Sequence, residues 1–276
     1  MIAVEGPDRE AFLQGQLTQD VRGLASGASR LAAGLTAKGK VLYFGRLVGA
    51  GDRVLLLLPR DAVPAALAHL ARFAAFQKVT VRDASDDHAL VRLYGPDPGI
   101  AAPEGGWRLP AWGELAGEIL APASARPALE ASLRTTGSEA ISDEAAEALR
   151  IEAGRPRLGA DATEANLPDE VGLEDAISRT KGCYVGQEIV ARRKTYGKPT
   201  RRLVGLRFEG RLLEPGTELA RPERPDRALA RVTSAAASDR LGPIGLAIAS
   251  YEAPDGERLV AATHDGSAVV VPLPFA

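Results

Sequence analysis

The chain has 276 residues, 34 basic against 36 acidic side chains and a formal charge of −2. That length exceeds what one small core organises and predicts two or three packed modules, while 45% hydrophobic and 25% charged residues can bury enough apolar surface to offset the entropy of ordering, which excludes global disorder. Near-neutral charge provides no general field for nucleic acid or an anionic membrane, so direct nucleic-acid binding is not expected and an anionic ligand must be held locally.

The start, Met1-Ile2-Ala3-Val4-Glu5-Gly6, lacks a basic region followed by an apolar stretch, and the longest apolar run, Val54 to Pro59, is too short to span a bilayer. The expected location is cytoplasmic, with no membrane contact. Asp8 after Pro7, with Phe12, Leu13 and Leu17 at helical spacing, predicts a helix over 8–19. Leu31 to Leu35, Val41 to Val48 and Val54 to Leu58 read as strands, the last two joined by a tight hairpin at Gly49-Ala50-Gly51-Asp52. Residues 60–76 carry Val63, Leu67, Leu70, Phe73 and Phe76 on one helical face, and strands follow at Val79 to Val81 and Ala89 to Tyr94. Gly95 to Pro110, rich in Pro and Gly, reads as a loop or subdomain crossing.

A strand at Glu114 to Leu120 and helices at 126–135 and from Ser142 as N-cap through Ala153 make a second α+β unit, with Gly154 ending the last helix. From Arg202 onward the texture changes to short apolar runs: Leu203 to Phe208, Ala228 to Thr233, Ile244 to Ser250, Leu259 to Thr263 and Ala268 to Val271. Such runs predict a small antiparallel barrel. The expected division is a region 1–198 of two α+β subdomains, crossing near 95–111, and a barrel domain 199–276 that starts near Pro199.

Cys183 is the only cysteine, so no internal disulfide forms, and with only His69, His88 and His264 beside it no self-contained metal or four-thiolate cluster site is expected. None of these histidines has the partner spacing of a catalytic triad. Cys183 lies in Lys181-Gly182-Cys183-Tyr184-Val185-Gly186-Gln187-Glu188, within a long polar segment, Gly159 to Tyr196, of the kind that is functional or disordered. A lone cysteine is by residue type an inert small hydrophobe. Here, however, helical pattern starts near Val185 with Gly197 able to close it, so Cys183 is expected just before a helix N-terminus, where orphan N–H groups and the charge of Lys181 favour thiolate. Gly182 and Gly186 permit close backbone approach to a ligand.

Glu152, in Arg150-Ile151-Glu152-Ala153-Gly154-Arg155-Pro156, has two open readings. A carboxylate accepts two N–H bonds from an amino-pyrimidinone edge such as that of a pterin, or it makes a plain ion pair, for example with Arg155. The basic run Arg192-Arg193-Lys194, followed by Lys198, Arg201 and Arg202, is either a set of anionic-tail contacts, with Arg192 and Arg193 the candidates, or a solvated face.

The eight-residue stretch Lys181 to Glu188 resembles the signature of the YgfZ-type proteins, which include mitochondrial iron–sulfur assembly factors. Further matches run through Phe12 to Val21, Leu35 to Lys40, Leu149 to Gly159 and Pro272-Leu273-Pro274-Phe275, so the resemblance spans nearly the whole chain. It implies the fold of the glycine-cleavage aminomethyltransferase: interleaved α+β modules around a central folate cavity and a C-terminal antiparallel β-barrel. It also implies tetrahydrofolate or a one-carbon derivative as cofactor, Glu152 at the pterin, Cys183 and Lys181 as the working pair with Gly182, Tyr184, Gly186, Gln187 and Glu188 in support, and iron–sulfur proteins or their assembly machinery as partners. In the transferase an acidic pair follows a Gly-Gly turn, whereas here Gly39-Lys40 leads into Val41-Leu42-Tyr43-Phe44. Neutral Tyr43 and Phe44 cannot exchange a proton or steady an iminium as carboxylates do. The expected role is therefore a folate-binding factor for assembly, repair or maintenance of iron–sulfur enzymes, including radical enzymes that thiolate tRNA. A folate-dependent aminomethyltransferase or demethylase and a non-catalytic scaffold are the alternatives, so whether the protein is an enzyme stays open.

Overall fold

The computed structural model describes residues 1–110, 113, 115–196, 200–261 and 265–276, with backbone alone for 194–196. The helix stop expected at Gly197, Lys198, the boundary near Pro199, the ends of the runs at Glu114 and Thr263, and His264 lie outside the described residues. The chain divides into two compact units, Met1–Ala140 with Asp175–Ile189, and Ile141–Glu174 with Val190–Ala276.

In the first unit the elements are β1 (Ile2–Glu5), α1 (Arg9–Gln16), β2 (Ser29–Leu35), β3 (Val41–Gly49), β4 (Arg53–Leu57), α2 (Val63–Ala74), β5 (Thr80–Asp83), β6 (His88–Tyr94), β7 (Trp107–Leu109), β8 (Leu115–Pro122) and α3 (Arg126–Thr135). They form a five-stranded sheet in the order β2-β3-β4-β1-β5 and a three-stranded sheet β6-β8-β7. β1 pairs antiparallel with both β4 (Ala3↔Leu55) and β5 (Ala3↔Arg82), so the apolar start of the chain is a central strand with Ile2, Ala3 and Val4 fully buried.

Several expectations need correction. α1 ends at Gln16, short of 19, and Asp8 makes no side-chain cap; its carboxylate accepts from Lys78 N at 2.9 Å. α2 buries Val63, Ala66 and Leu70, whereas Phe73 is 40% and Phe76 94% exposed. The reason is that α2 stops at Ala74, so Phe76 leaves the helical face, and Phe73 lies at the margin of that face, its ring edge-to-face with His69 at a centroid distance of 5.3 Å. The stretch read as a loop from Gly95 contains β7, whose Trp107–Leu109 pairs with β8 (Arg108↔Ile119).

In the second unit α4 (Asp143–Glu152) starts as expected on Ser142, whose hydroxyl accepts from Ala145 N at 3.2 Å. It ends at Gly154, whose φ of +67° is left-handed and open to glycine. α5 (Gln187–Tyr196) starts in the first unit and ends in the second. The strands β9 (Arg201–Glu209), β10 (Glu218–Arg221), β11 (Arg224–Ser238), β12 (Gly242–Ser250), β13 (Arg258–Ala261) and β14 (Ser267–Val271) close an antiparallel barrel in the order β10-β11-β12-β9-β14-β13. β10 closes the barrel on β13 (Ala220↔Val260) and lies outside the apolar runs of the sequence, because four residues of mixed polarity show no period. The barrel core holds Val204, Leu206, Phe208, Val232 and Val270, and Ile151 of α4 packs with Ile244, Leu246 and Phe275. The architecture is α+β modules with a closed antiparallel barrel, as the sequence implies.

Candidate functional site

Cys183 is exposed and sits in irregular backbone between Ser178 and the start of α5 at Gln187. The helix therefore begins two residues later than the Val185 start expected from its pattern, leaving Cys183 four positions ahead of it. What holds this loop is an alternation of burial. Lys181 and Tyr184 are each 9% exposed, while Gly182 and Cys183 between them face solvent.

The Lys181 ammonium donates to three backbone carbonyls, Gln14 O at 2.8 Å, Leu17 O at 2.5 Å and Gln19 O at 2.9 Å, and lies 5.2 Å from the centre of the Tyr184 ring. Burial pulls Lys181 down to about 8, with Asp20 acting against that shift and Arg22 with it. An ammonium has three N–H donors, so its hydrogen-bonding capacity is taken up by the carbonyls. Burial likewise raises the Tyr184 phenol.

Residues that sequence reasoning did not single out complete the attachment. Thr18 is fully buried; its hydroxyl donates to Ala176 O at 2.5 Å and accepts from Ala33 N at 2.9 Å, joining the loop to β2. Gln19 Nε2 donates to Asp175 O at 3.0 Å, Ser178 N to Thr18 O at 3.0 Å and Val185 N to Gly15 O at 3.2 Å. The only available signal was that Gly15 to Asp20 falls inside a stretch carrying the family resemblance. Gly186, at φ +83°, approaches not a ligand but its own chain: an added Cβ would lie 2.6 Å from Thr36 O, whereas at Gly182 it would meet nothing within 4 Å. Gln187 accepts from Tyr184 N through Oε1 at 3.3 Å, and Glu188 is exposed in the first turn of α5. Gln16 Oε1 is a buried acceptor without a hydrogen-bond partner among the described residues.

Glu152, in the second unit, closes α4. Its Oε1 accepts from Ser238 Oγ at 2.5 Å, and its Oε2 accepts from Arg240 Nε at 3.2 Å and Nη2 at 3.0 Å. The ion pair is thus with Arg240 of the barrel segment, in place of the Arg155 pair considered from sequence. Nearby, Asp161 is 1% exposed and accepts from Arg150 Nη1 and Arg157 N, both at 2.9 Å, from Ser234 Oγ at 2.8 Å and from Thr233 Oγ1. Glu147 holds the other side of Arg150 at 2.7 Å. Of the basic run on α5, Arg192 is exposed, while Arg193 pairs with Asp169 at 3.0 Å and Glu170 at 3.6 Å. Breaking those pairs is the cost of any anionic ligand on Arg193.

Tyr43 is 2% exposed, its hydroxyl 3.0 Å from His69 Nδ1. Burial raises the Tyr43 phenol well above its ordinary value, and burial, with Arg72, lowers His69. Burial thus disfavours charge on both partners of this hydrogen bond. Phe44 is 7% exposed. Among the described residues no group of three or more His, Cys, Asp or Glu could hold a metal ion, and no helix is long and apolar enough to cross a membrane.

The fold is that of an aminomethyltransferase. A solved structure of the glycine cleavage system aminomethyltransferase T from Bartonella henselae superposes with a TM-score of 0.85 at 24% identity, covering 100% of this chain and 83% of that one. No protein-family model matches the chain. In sequence, an uncharacterized protein of Haemophilus influenzae is 35% identical over 201 residues, 71% of this chain and 66% of that protein. The tRNA-modifying protein YgfZ of Edwardsiella ictaluri is 32% identical over 246 residues, 79% of this chain and 71% of its own length. That of Cronobacter sakazakii is 32% identical over 240 residues, 79% of this chain and 72% of its own length. The chain thus spans roughly two thirds or a little more of the curated relatives it matches. With identity at this level over that share of named relatives, the chain belongs to the YgfZ family.

Proposed function

We propose that this protein supports tRNA modification as a folate-dependent factor for iron–sulfur enzymes, including those that thiolate tRNA, with Cys183 as its working group. The observation that carries the reading is the presentation of the thiol. Its neighbours Lys181 and Tyr184 are buried and fastened, and the cysteine itself is left in solvent where a client protein can reach it. An inert packing cysteine has the opposite pattern. The relatives named tRNA-modifying proteins supply the process, and the family resemblance supplies iron–sulfur enzymes or their assembly machinery as partners.

In this reading a reduced folate is the cofactor class, and it supplies one-carbon chemistry when bound. Glu152 is its pterin-edge acceptor only if Arg240 and Ser238 give up the carboxylate, because both oxygens are already engaged by the chain itself. Gln16 Oε1, a buried acceptor that lacks a donor among the described residues, suits a heterocyclic N–H without such competition. Arg192, exposed on α5, and Arg193 are the candidates for an anionic tail, Arg193 at the cost of its pairs with Asp169 and Glu170.

A strain lacking the gene tests the reading. Thiolated nucleosides in bulk tRNA, quantified by mass spectrometry, should fall on deletion and recover with the wild-type gene but not with Cys183→Ala at equal protein abundance. Full recovery with Cys183→Ala removes the thiol from the function. Unchanged tRNA together with loss of a folate-dependent one-carbon transfer favours the aminomethyltransferase-like reading that the fold suggests.

A further inference from the structure

α1 has eight residues and no basic residue in its last turn. The last carbonyls of a helix lack partners within it, and its negative end favours a cation. Here the cation comes from far along the chain: Lys181 bonds Gln14 O, Leu17 O and Gln19 O, which lie 167, 164 and 162 residues away in sequence. Gln14 is in the last turn, Leu17 is the residue just past the helix, and Gln19 is on the strand of chain that leaves it.

Around this point the same two segments are joined by Thr18 to Ala176, Gln19 to Asp175, Ser178 to Thr18 and Val185 to Gly15. Ser178 Oγ also accepts from Lys181 N at 3.2 Å, tightening the turn that leads into the motif. The charged side chains acting on Lys181 are Asp20 and Arg22, both on the segment that follows α1. We infer that Lys181 is a positioning residue whose ammonium caps the end of α1 and so fixes the backbone on which Cys183 is displayed, rather than a group that activates the thiol. The geometry belongs wholly to the first unit; only its functional consequence rests on Cys183 as the working group.

A pin and an activator differ in what they need. A pin needs three donors around one tetrahedral nitrogen; an activator needs positive charge. Lys181→Met keeps the aliphatic stem and removes both. Lys181→Arg keeps charge, but a planar guanidinium cannot direct its N–H groups to three carbonyls arranged around a tetrahedral nitrogen.

In the full chain, amide hydrogen exchange over 14–19 and 176–186 and the pH profile of Cys183 alkylation separate the two. The pin predicts exchange at least tenfold faster in both segments for both variants, with the alkylation midpoint unmoved. Wild-type exchange in Lys181→Met overturns it, and so does an upward shift of the midpoint in Lys181→Met that Lys181→Arg reverses. Should Lys181→Met fail to fold, Lys181→Arg alone decides, since wild-type exchange there shows that charge suffices. Failure of the thiol reading is seen elsewhere: if Cys183→Ala supports tRNA thiolation, the exchange result still stands.

Discussion

The two glycines of the motif differ by environment, and substituting each by alanine turns that difference into a measurement. At Gly186 a Cβ would lie 2.6 Å from Thr36 O, 3.1 Å from Gly39 Cα and 3.2 Å from Leu35 Cβ, and the backbone sits at φ +83°. A non-glycine residue in left-handed backbone costs about 1–2 kcal/mol. The clash is with backbone, not a side chain that can swing away, and Thr36 O is held by Gly39 N at 2.8 Å. Forcing such a contact adds ~1–3 kcal/mol, so Gly186→Ala is expected to destabilise the first unit by about 2–5 kcal/mol. At Gly182 the backbone is not left-handed and the added methyl meets nothing within 4 Å, so Gly182→Ala should stay within about 0.5 kcal/mol of the wild type. Urea denaturation gives both numbers, and Cys183 alkylation reports whether the loop lifts from the β2–β3 hairpin. Equal stability and equal alkylation rates for the two variants would refute the claim that Gly186 is kept by contact with its own chain.

Three further outcomes follow from the remaining geometry. If Arg240 competes with a pterin for Glu152, Arg240→Ala should tighten reduced-folate binding and Glu152→Gln weaken it; calorimetric titration showing neither change leaves Glu152 as an ion-pair residue only. Asp161→Ala deprives Arg150, Arg157 N and two hydroxyls of a buried acceptor and should cost the second unit about 3–5 kcal/mol by denaturant unfolding, with a loss under 1 kcal/mol counting against the network. Because burial lowers Lys181 from its ordinary 10.5 to about 8, the unfolded chain holds more protons than the folded one between those values. The stability difference between the wild type and Lys181→Met should therefore rise with pH from about 8 to 10.5 and be flat below, and a flat difference throughout would contradict the shift.

Elements announced by local chemistry were legible. Ser142-Asp143-Glu144 gave α4 its start because the cap is a short-range bond, Ser142 Oγ to Ala145 N. Strands β3, β4 and β12 were legible as apolar runs long enough to show themselves. β7 was hidden because three residues inside a Pro- and Gly-rich stretch carry no period, and Phe76 was misplaced because periodicity does not say where a helix stops. The site was less legible for a physical reason. Lys181 is bound to backbone carbonyls, which every sequence has, and Glu152 to Ser238 and Arg240, 86 and 88 residues on, which no spacing within the motif reveals. Motif residues could be identified; their partners could not.

The position where the resembling transferase carries acidic side chains bears on the chemistry this chain can perform. Tyr43 is buried, its hydroxyl is committed to His69, and its ring lies so close over Gly34 that a Cβ there would meet Tyr43 Cζ at 2.3 Å. A phenol whose ionisation burial opposes holds its proton at any working pH, so it neither accepts a proton nor balances a developing cation. Its partner His69 is shifted down from the usual imidazole value, mainly by burial and further by Arg72. Proton exchange by the Tyr43 phenol is thus opposed by packing as well as by residue type, and Phe44 beside it offers no polar side-chain atom. In the motif loop Cys183 is solvent-facing, whereas Lys181 and Tyr184 are buried, Lys181 lying over the Tyr184 ring and bonded to the end of α1. Tyr43 and Phe44 in place of carboxylates, and a solvent-facing Cys183 between the buried Lys181 and Tyr184, are the features on which the proposed role rests.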